Sequence, residues 1–285
     1  MPMQETIYAV ADRVATITLN RPDKLNAWTA TIEKEVRSCL EEAERDDGVR
    51  VIVLTGAGRG FCAGADMSLL SSVAKDGLPG DGREAASRLG GSSLSTQGQS
   101  VQRQDVPPDF QKKYSYFLGI KKPILAAING PVVGLGLVIA LYCDLRLASE
   151  AARFSTTFAQ RGLIAEYGMA WMLPQVVGIP NALDLLFSAR TINAGEALRM
   201  GLVNQIFAQE NFLDTVHEYA VDLASRVSPR SLRVIKRQVY QAMFQTLAES
   251  FDLAVEEMVE SLRSEDFKEG VAHFLEKRTA AFKGR

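Results

Sequence analysis

Two stretches of this chain run the same course: an unbroken apolar segment, a glycine-rich corner, then what reads as a helix. The first is RVIVLTGAGRGFCAGADMSLL, residues 50–70, and the second is PILAAINGPVVGLGLVIALYC, residues 123–143. Segments continuous in Val, Ile and Leu, with no polar residue every second position, suit strands covered on both faces. CDLRLAS, residues 143–149, reads as a further strand after a helix from about Leu135 to Tyr142. This strand–helix–strand rhythm predicts an α/β fold around an extensive buried sheet.

The flanking sequence fits that frame. Residues 5–10 and 13–19 are short β-rich runs around a turn at Asp12, which predicts a hairpin. Ile32, Val36, Leu40 and Ala43 recur at helical spacing, with Thr29 placed to cap the helix. Residues 71–109 are rich in Gly, Ser and Gln and poor in large apolar groups. They read either as a lid-like loop or as an insertion without a role. From about residue 210 the pattern is helical throughout, with Pro229 suited to a first helical turn. Apolar stripes on such a tail can cover their own core or pack on another subunit, and core is the expectation.

Composition excludes several classes. With 285 residues, 47% hydrophobic, the chain can bury a core and is not a disordered polymer. A formal net charge of −2 offers no basic field for nucleic acid. Three scattered cysteines and two histidines give no metal-ligand spacing, so no metal site is expected and a reducing compartment is. MPMQETIYAV has no basic segment leading into an apolar run, and the longest apolar stretch is too short for a bilayer. A cytoplasmic protein with no membrane partner is the expectation.

Each glycine corner alone reads more readily as a turn or a helix-packing contact than as a ligand loop. Together they offer free backbone N–H groups from two helix starts, which could converge on one oxygen as an oxyanion hole. At residue 166 a single acid stands in RGLIAEYGMAW, among apolar, aromatic and glycine residues. A carboxylate desolvated in this way is either a base with a raised pKa or a helix-start Glu satisfying free amides near Gly168. Asp66 reads as a helix N-cap, Asp144 and Arg146 as a structural pair, and Tyr142 and Cys143 as core.

FCAGAD, then INGPVVGLG and CDLRLAS, then GLI at 162–164 and GEALRMGLVNQI, resemble the crotonase (enoyl-CoA hydratase/isomerase) superfamily, as does LNRPDKLNAW near the start. The resemblance spans nearly the whole chain. It implies a spiral of ββα units over residues 1–209 that binds acyl-CoA, and a helical region over 210–285 that builds homotrimers or dimers of trimers. It implies an acyl-CoA thioester as substrate, with coenzyme A part of that substrate and no separate cofactor. The thioester oxygen would meet the amides of Ala65 and Leu135, and the adenine end would lie against Lys24, Leu25, Ala27, Ala63 and Asp66. The two acids of the family's hydratases are replaced by Val138 and Phe158, whereas Glu166 falls where certain isomerases carry theirs. Phe158, Val138, Tyr167 and Trp171 are the expected pocket. The implied reaction is conversion of 3-enoyl-CoA to 2-enoyl-CoA with Glu166 as proton shuttle. Enoyl-CoA hydration and non-catalytic acyl-CoA binding are the alternatives.

Overall fold

The computed structural model describes residues 3–67, 71, 75, 77 and 106–285. Strands β1 (Thr6–Ala11) and β2 (Val14–Leu19) form the expected antiparallel hairpin, with Thr6 opposite Leu19 and Ala11 opposite Val14. Its two-residue turn places Asp12 and Arg13 at φ 50° and 66°. Positive φ at both positions is the turn whose twist matches paired strands. Helix α1 (Ala30–Arg45) follows, and Thr29 Oγ1 accepts from the Ile32 N–H at 3.0 Å. Its buried face is Ile32, Val36, Cys39, Leu40 and Ala43.

Strands β3 (Val51–Gly56), β4 (Ile124–Ile128), β6 (Leu145–Ser149) and β9 (Gln205–Phe207) extend the sheet in parallel, in the order β1-β2-β3-β4-β6-β9. The continuous apolar runs are explained by burial on both faces. Ile52, Leu54, Ala126 and Ile128 face one core. Val51, Val53, Leu125 and Ala127 face a second, covered by Phe212, Val216, Ala220 and Ala224 of helix α5 (Phe212–Arg226). A smaller sheet of β5 (Val132–Val133), β7 (Arg153–Ser155) and β8 (Ile192–Asn193) lies beside it in the order β5-β7-β8. Helices α2 (Leu135–Leu141), α3 (Met169–Ser188, kinked at Gly178) and α4 (Ala194–Arg199) connect these strands.

Helices α6 (Pro229–Ala242), α7 (Leu247–Arg263) and α8 (Glu265–Glu276) complete the chain. Ser228 caps α6 ahead of Pro229. The α6 helix is clasped to the core by a buried ammonium: Lys236 Nζ lies 2.8 Å from Asp144 Oδ2. Tyr240 donates its hydroxyl to Asp144 Oδ1 at 2.9 Å, and the Ile124 N–H donates to Oδ2 at 2.7 Å. Asp144 and Arg146 are therefore not the pair expected from sequence. Arg146 instead donates to the carbonyls of Leu202 (2.8 Å) and Cys143 (2.9 Å). Tyr142 and Cys143 are buried, as expected.

One further expectation lies mostly outside the described residues, and another changes in part. The lid-like segment 71–109 lies outside the described residues except for 71, 75, 77 and 106–109. Of these, Val106 is buried and Pro108–Gln111 forms a 3-10 turn, so packed structure resumes before the expected boundary. The apolar stripe of α5 is core, as expected, but those of α7 and α8 are not. Leu247, Phe251, Met258, Phe274 and Leu275 are all exposed.

Candidate functional site

The two glycine corners meet. Residues 61–64 and 131–134 run side by side, with a parallel bridge between Cys62 and Val132. The Val133 N–H donates to the Cys62 carbonyl at 2.9 Å, and the Phe61 N–H to the Pro131 carbonyl at 3.1 Å. Gly64 has φ 98°, and a Cβ there would lie 3.0 Å from the Val133 oxygen and 3.7 Å from the Leu135 nitrogen. Gly136 presses closer still: a Cβ there would lie 2.3 Å from the Cys62 carbonyl oxygen. Only hydrogen fits at this crossing.

Both candidate donors are left open by this packing. Trp28 bridges Ala65, donating its N–H to the Gly64 carbonyl (2.7 Å) and accepting from the Asp66 N–H (3.1 Å). In a parallel bridge the middle residue's own N–H points to the opposite side. Leu135 opens α2, where the first N–H groups have no intrahelical partner. Among the described residues neither amide donates a hydrogen bond.

The five residues expected near adenine also come together. The Ala63 N–H donates to the Leu25 carbonyl (2.9 Å) and the Ala27 N–H to the Lys24 carbonyl (3.0 Å). Leu25 and Asn26 both have positive φ, at 47° and 57°, so this loop is sharply folded. A residue missed in the sequence holds it. Arg21 Nη1 donates to the Ala27 carbonyl at 2.7 Å and to Asp66 Oδ2 at 2.9 Å, while Nε lies 3.1 Å from Glu5 Oε1. Asp66, which precedes the helical Met67, is thus also an ion-pair partner.

Glu166 sits two residues before Gly168, the N-cap of α3. Its carboxylate has no hydrogen bond or ion pair among the described residues, and burial raises its pKa above the ordinary value. It does not serve the free amides near Gly168; the Met169 N–H takes the Glu166 backbone carbonyl instead, at 2.9 Å. The carboxylate lines a cavity of about 610 Å³ with Phe110, Tyr142, Tyr167, Trp171 and Phe244. Asp109, at the same cavity, is exposed. Burial pushes the phenols of Tyr142 and Tyr167 up to about 12, so both stay protonated at neutral pH. A carboxylate with a raised pKa is then the group best suited to exchange protons there.

Tyr167 and Trp171 line this cavity as expected, but Val138 and Phe158 do not. Both are buried in the main core, Val138 in the short helix α2 and Phe158 beneath Gly134, whose Cβ would lie 3.9 Å from its ring. Ala65 and Leu135 do not line it either. Their corner and the Glu166 loop are joined by a file of rings. Trp28, whose backbone bridges Ala65, stands edge-on to Tyr114 at 6.0 Å, and Tyr114 stands edge-on to Tyr167 at 5.0 Å. Tyr114 and Tyr167 both have positive φ, at 67° and 49°, which is rare for large side chains. Nothing local in the sequence points to Tyr114, Phe110 or Phe244. Arg21 stood in a quoted motif, but the ring positions are set only by the tertiary fold.

The chain matches the family model described as enoyl-CoA hydratase/isomerase over residues 10–86 and 89–285. It is 33% identical, over 99% of its length and 100% of the relative's, to a protein of Escherichia coli (strain K12) named 1,2-epoxyphenylacetyl-CoA isomerase. It is 31% identical, over 100% of both chains, to the short-chain-enoyl-CoA hydratase of Clostridium acetobutylicum. Among solved structures, the enoyl-CoA hydratase of Bacillus anthracis superimposes with a TM-score of 0.84 at 26% identity, covering 99% of this chain and 100% of that one.

Proposed function

The chain belongs to the enoyl-CoA hydratase/isomerase family, and on that premise we propose that it converts 3-enoyl-CoA to 2-enoyl-CoA with Glu166 as the proton shuttle. The observation that carries this reading is the unpartnered, half-buried carboxylate of Glu166 in a ring-rich cavity whose other acid, Asp109, is exposed. The C2–H bond breaks and its proton passes to a Glu166 carboxylate oxygen. The electron pair left behind spreads over C2 to C4 and the thioester oxygen. The same proton is returned to C4, leaving the double bond between C2 and C3, so no water or second acid is needed.

Ala65 and Leu135 supply the two amides that hold the thioester oxygen as charge gathers there. Each such donor is worth about 10²–10³ in rate. Lys24, Leu25, Ala27, Ala63 and Asp66 hold the adenine end, with Arg21 fixing their loop from behind. Coenzyme A arrives with the substrate and no further cofactor takes part. The exposed apolar faces of α6, α7 and α8 fit a surface for association into a homotrimer or dimer of trimers.

Hydration is the second reading, favoured by the names of several relatives. The apolar residues at Val138 and Phe158, where the resemblance places the hydratase acids, weigh against it. One experiment separates the two. With a 3-enoyl-CoA, wild type should give 2-enoyl-CoA, and Glu166→Gln should lose at least about a hundredfold in kcat while binding the ester nearly normally. Formation of 3-hydroxyacyl-CoA from a 2-enoyl-CoA at a higher kcat/KM would favour the lyase. Full turnover by the Gln variant would remove Glu166 from the mechanism.

A further inference from the structure

We propose that the cavity beside Glu166 takes an acyl group bearing an aromatic ring, and that Trp171 and Phe244 are its specificity-determining pair. This rests on the reading of Glu166 given above. Five of the thirteen described residues lining the cavity are Phe, Tyr or Trp, against 8% of the chain. An apolar cavity for a straight chain needs only aliphatic walls, since that ligand is held by buried area alone. Rings select rings: face-to-face offset and edge-on contacts add attraction that an alkyl chain does not receive.

The walls are held in both orientations. Trp171 and Phe244 are stacked with centroids 5.3 Å apart and planes 12° apart. Phe110 meets Phe244 edge-on at 5.9 Å and 65°. On the inner side Tyr167 is fixed edge-on against Tyr114, and the Tyr142 hydroxyl donates to the Tyr167 carbonyl at 2.8 Å. A ring entering the cavity therefore finds preset faces and edges and leaves few rotors to be ordered. The volume of about 610 Å³ lies in the range of small-molecule sites.

The pair stands at the mouth. Trp171 is 37% exposed and Phe244 53%. Trp171 comes from the first turn of α3, five residues after Glu166, and Phe244 from just beyond α6. The C-terminal helical region thus supplies one wall of the acyl site, and the α6 clasp on Asp144 fixes where that wall stands.

The test uses the full chain and two 3-enoyl-CoA esters of equal carbon count, one ending in a phenyl ring and one straight. Wild type should favour the aryl ester by about tenfold in kcat/KM, the scale of one good ring contact. Trp171→Leu and Phe244→Leu should each bring the ratio close to one, by losing rate on the aryl ester alone. Equal rates on both esters in wild type, or an unchanged ratio in both variants, would overturn the proposal while leaving the isomerase reading intact. A variant whose sedimentation changes while its ratio does not would mark the stack as an interface between copies, which also overturns it. If neither ester is turned over, the isomerase reading fails. Calorimetry then decides the ring preference alone: phenylacetyl-CoA should bind about tenfold more tightly than straight-chain octanoyl-CoA, and equal affinities would refute it.

Discussion

Gly136→Ala is the sharpest probe of the proposed oxyanion corner, because the structure sets the size of the disturbance. The added methyl would lie 2.3 Å from the Cys62 carbonyl oxygen and 2.8 Å from the Cys62 Cβ. Ordinary contact begins near 3.4 Å, so the crossing must open by the difference, 3.4 − 2.3, or about 1.1 Å. The obstacle is backbone, not the end of a flexible side chain, so little of this can be absorbed locally. Leu135 is the preceding residue and moves with α2. A hydrogen bond of about 2.9 Å stretched by that amount leaves the bonding range. The expected result is a loss of about 10²–10³ in kcat, the worth of one oxyanion donor. A stability loss of about 1–3 kcal/mol should accompany it, as for other overpacked sites. The assay is steady-state isomerisation at saturating ester, with thermal melting to show the variant is folded. Gly195→Ala is the control, since a Cβ there meets its nearest neighbours at 3.4 and 3.8 Å. A folded Gly136→Ala enzyme with kcat within about threefold of wild type would refute the claim that these two corners form the oxyanion hole.

Burial raises the Glu166 pKa, so the acid limb of kcat against pH should lie above the ordinary carboxylate range. Below that limb Glu166 is protonated and cannot take the C2 proton, and a limb at the ordinary value would contradict the burial. The stability sign is opposite: a carboxyl that binds its proton more tightly when folded favours the fold at low pH and loses that contribution as pH rises through its folded pKa. Glu166→Gln should therefore melt at or above the wild-type temperature at alkaline pH. Asp144→Ala leaves the Lys236 ammonium buried without its counter-ion and should cost about 3–5 kcal/mol in chemical denaturation. A loss below about 1 kcal/mol would show that the clasp is not what docks α6. Arg21→Met should raise KM for the CoA ester by about tenfold, through loss of charge-assisted bonds, and leave the acid limb where it was.

The parts of this molecule legible in the sequence are those governed by local rules. The strands β3, β4 and β6 announce themselves because a strand covered on both faces has no polar alternation to dilute it. Thr29, Pro229 and the Asp12 turn are visible because capping and turn chemistry need particular residues at fixed offsets. Local rules mislead at Asp144. Its neighbour in sequence is Arg146, but its partners Lys236 and Tyr240 arrive from a helix some ninety residues later. The stripes on α7 and α8 have the period of buried helices, yet Leu247 and Phe274 lie open. Periodicity says that an apolar face will be covered and does not say by which chain.

The two halves of the site differ in the same way. The proposed thioester corner is made of backbone, so its signature is glycine where a Cβ cannot fit, and that survives in any sequence that keeps the crossing. Leu at position 135 keeps the donor because the N–H is not a side-chain property. The rings of the cavity at Glu166 are brought from five places: the turn at Phe110, the end of α2, the loop at Tyr167, the first turn of α3 and the turn just beyond α6. No local rule links Phe244 to Trp171, although their rings stack at 12°. A family can hold the first half constant while the second drifts. That is why the motifs lead to the thioester, and only the assembled walls bear on which acyl group accompanies it.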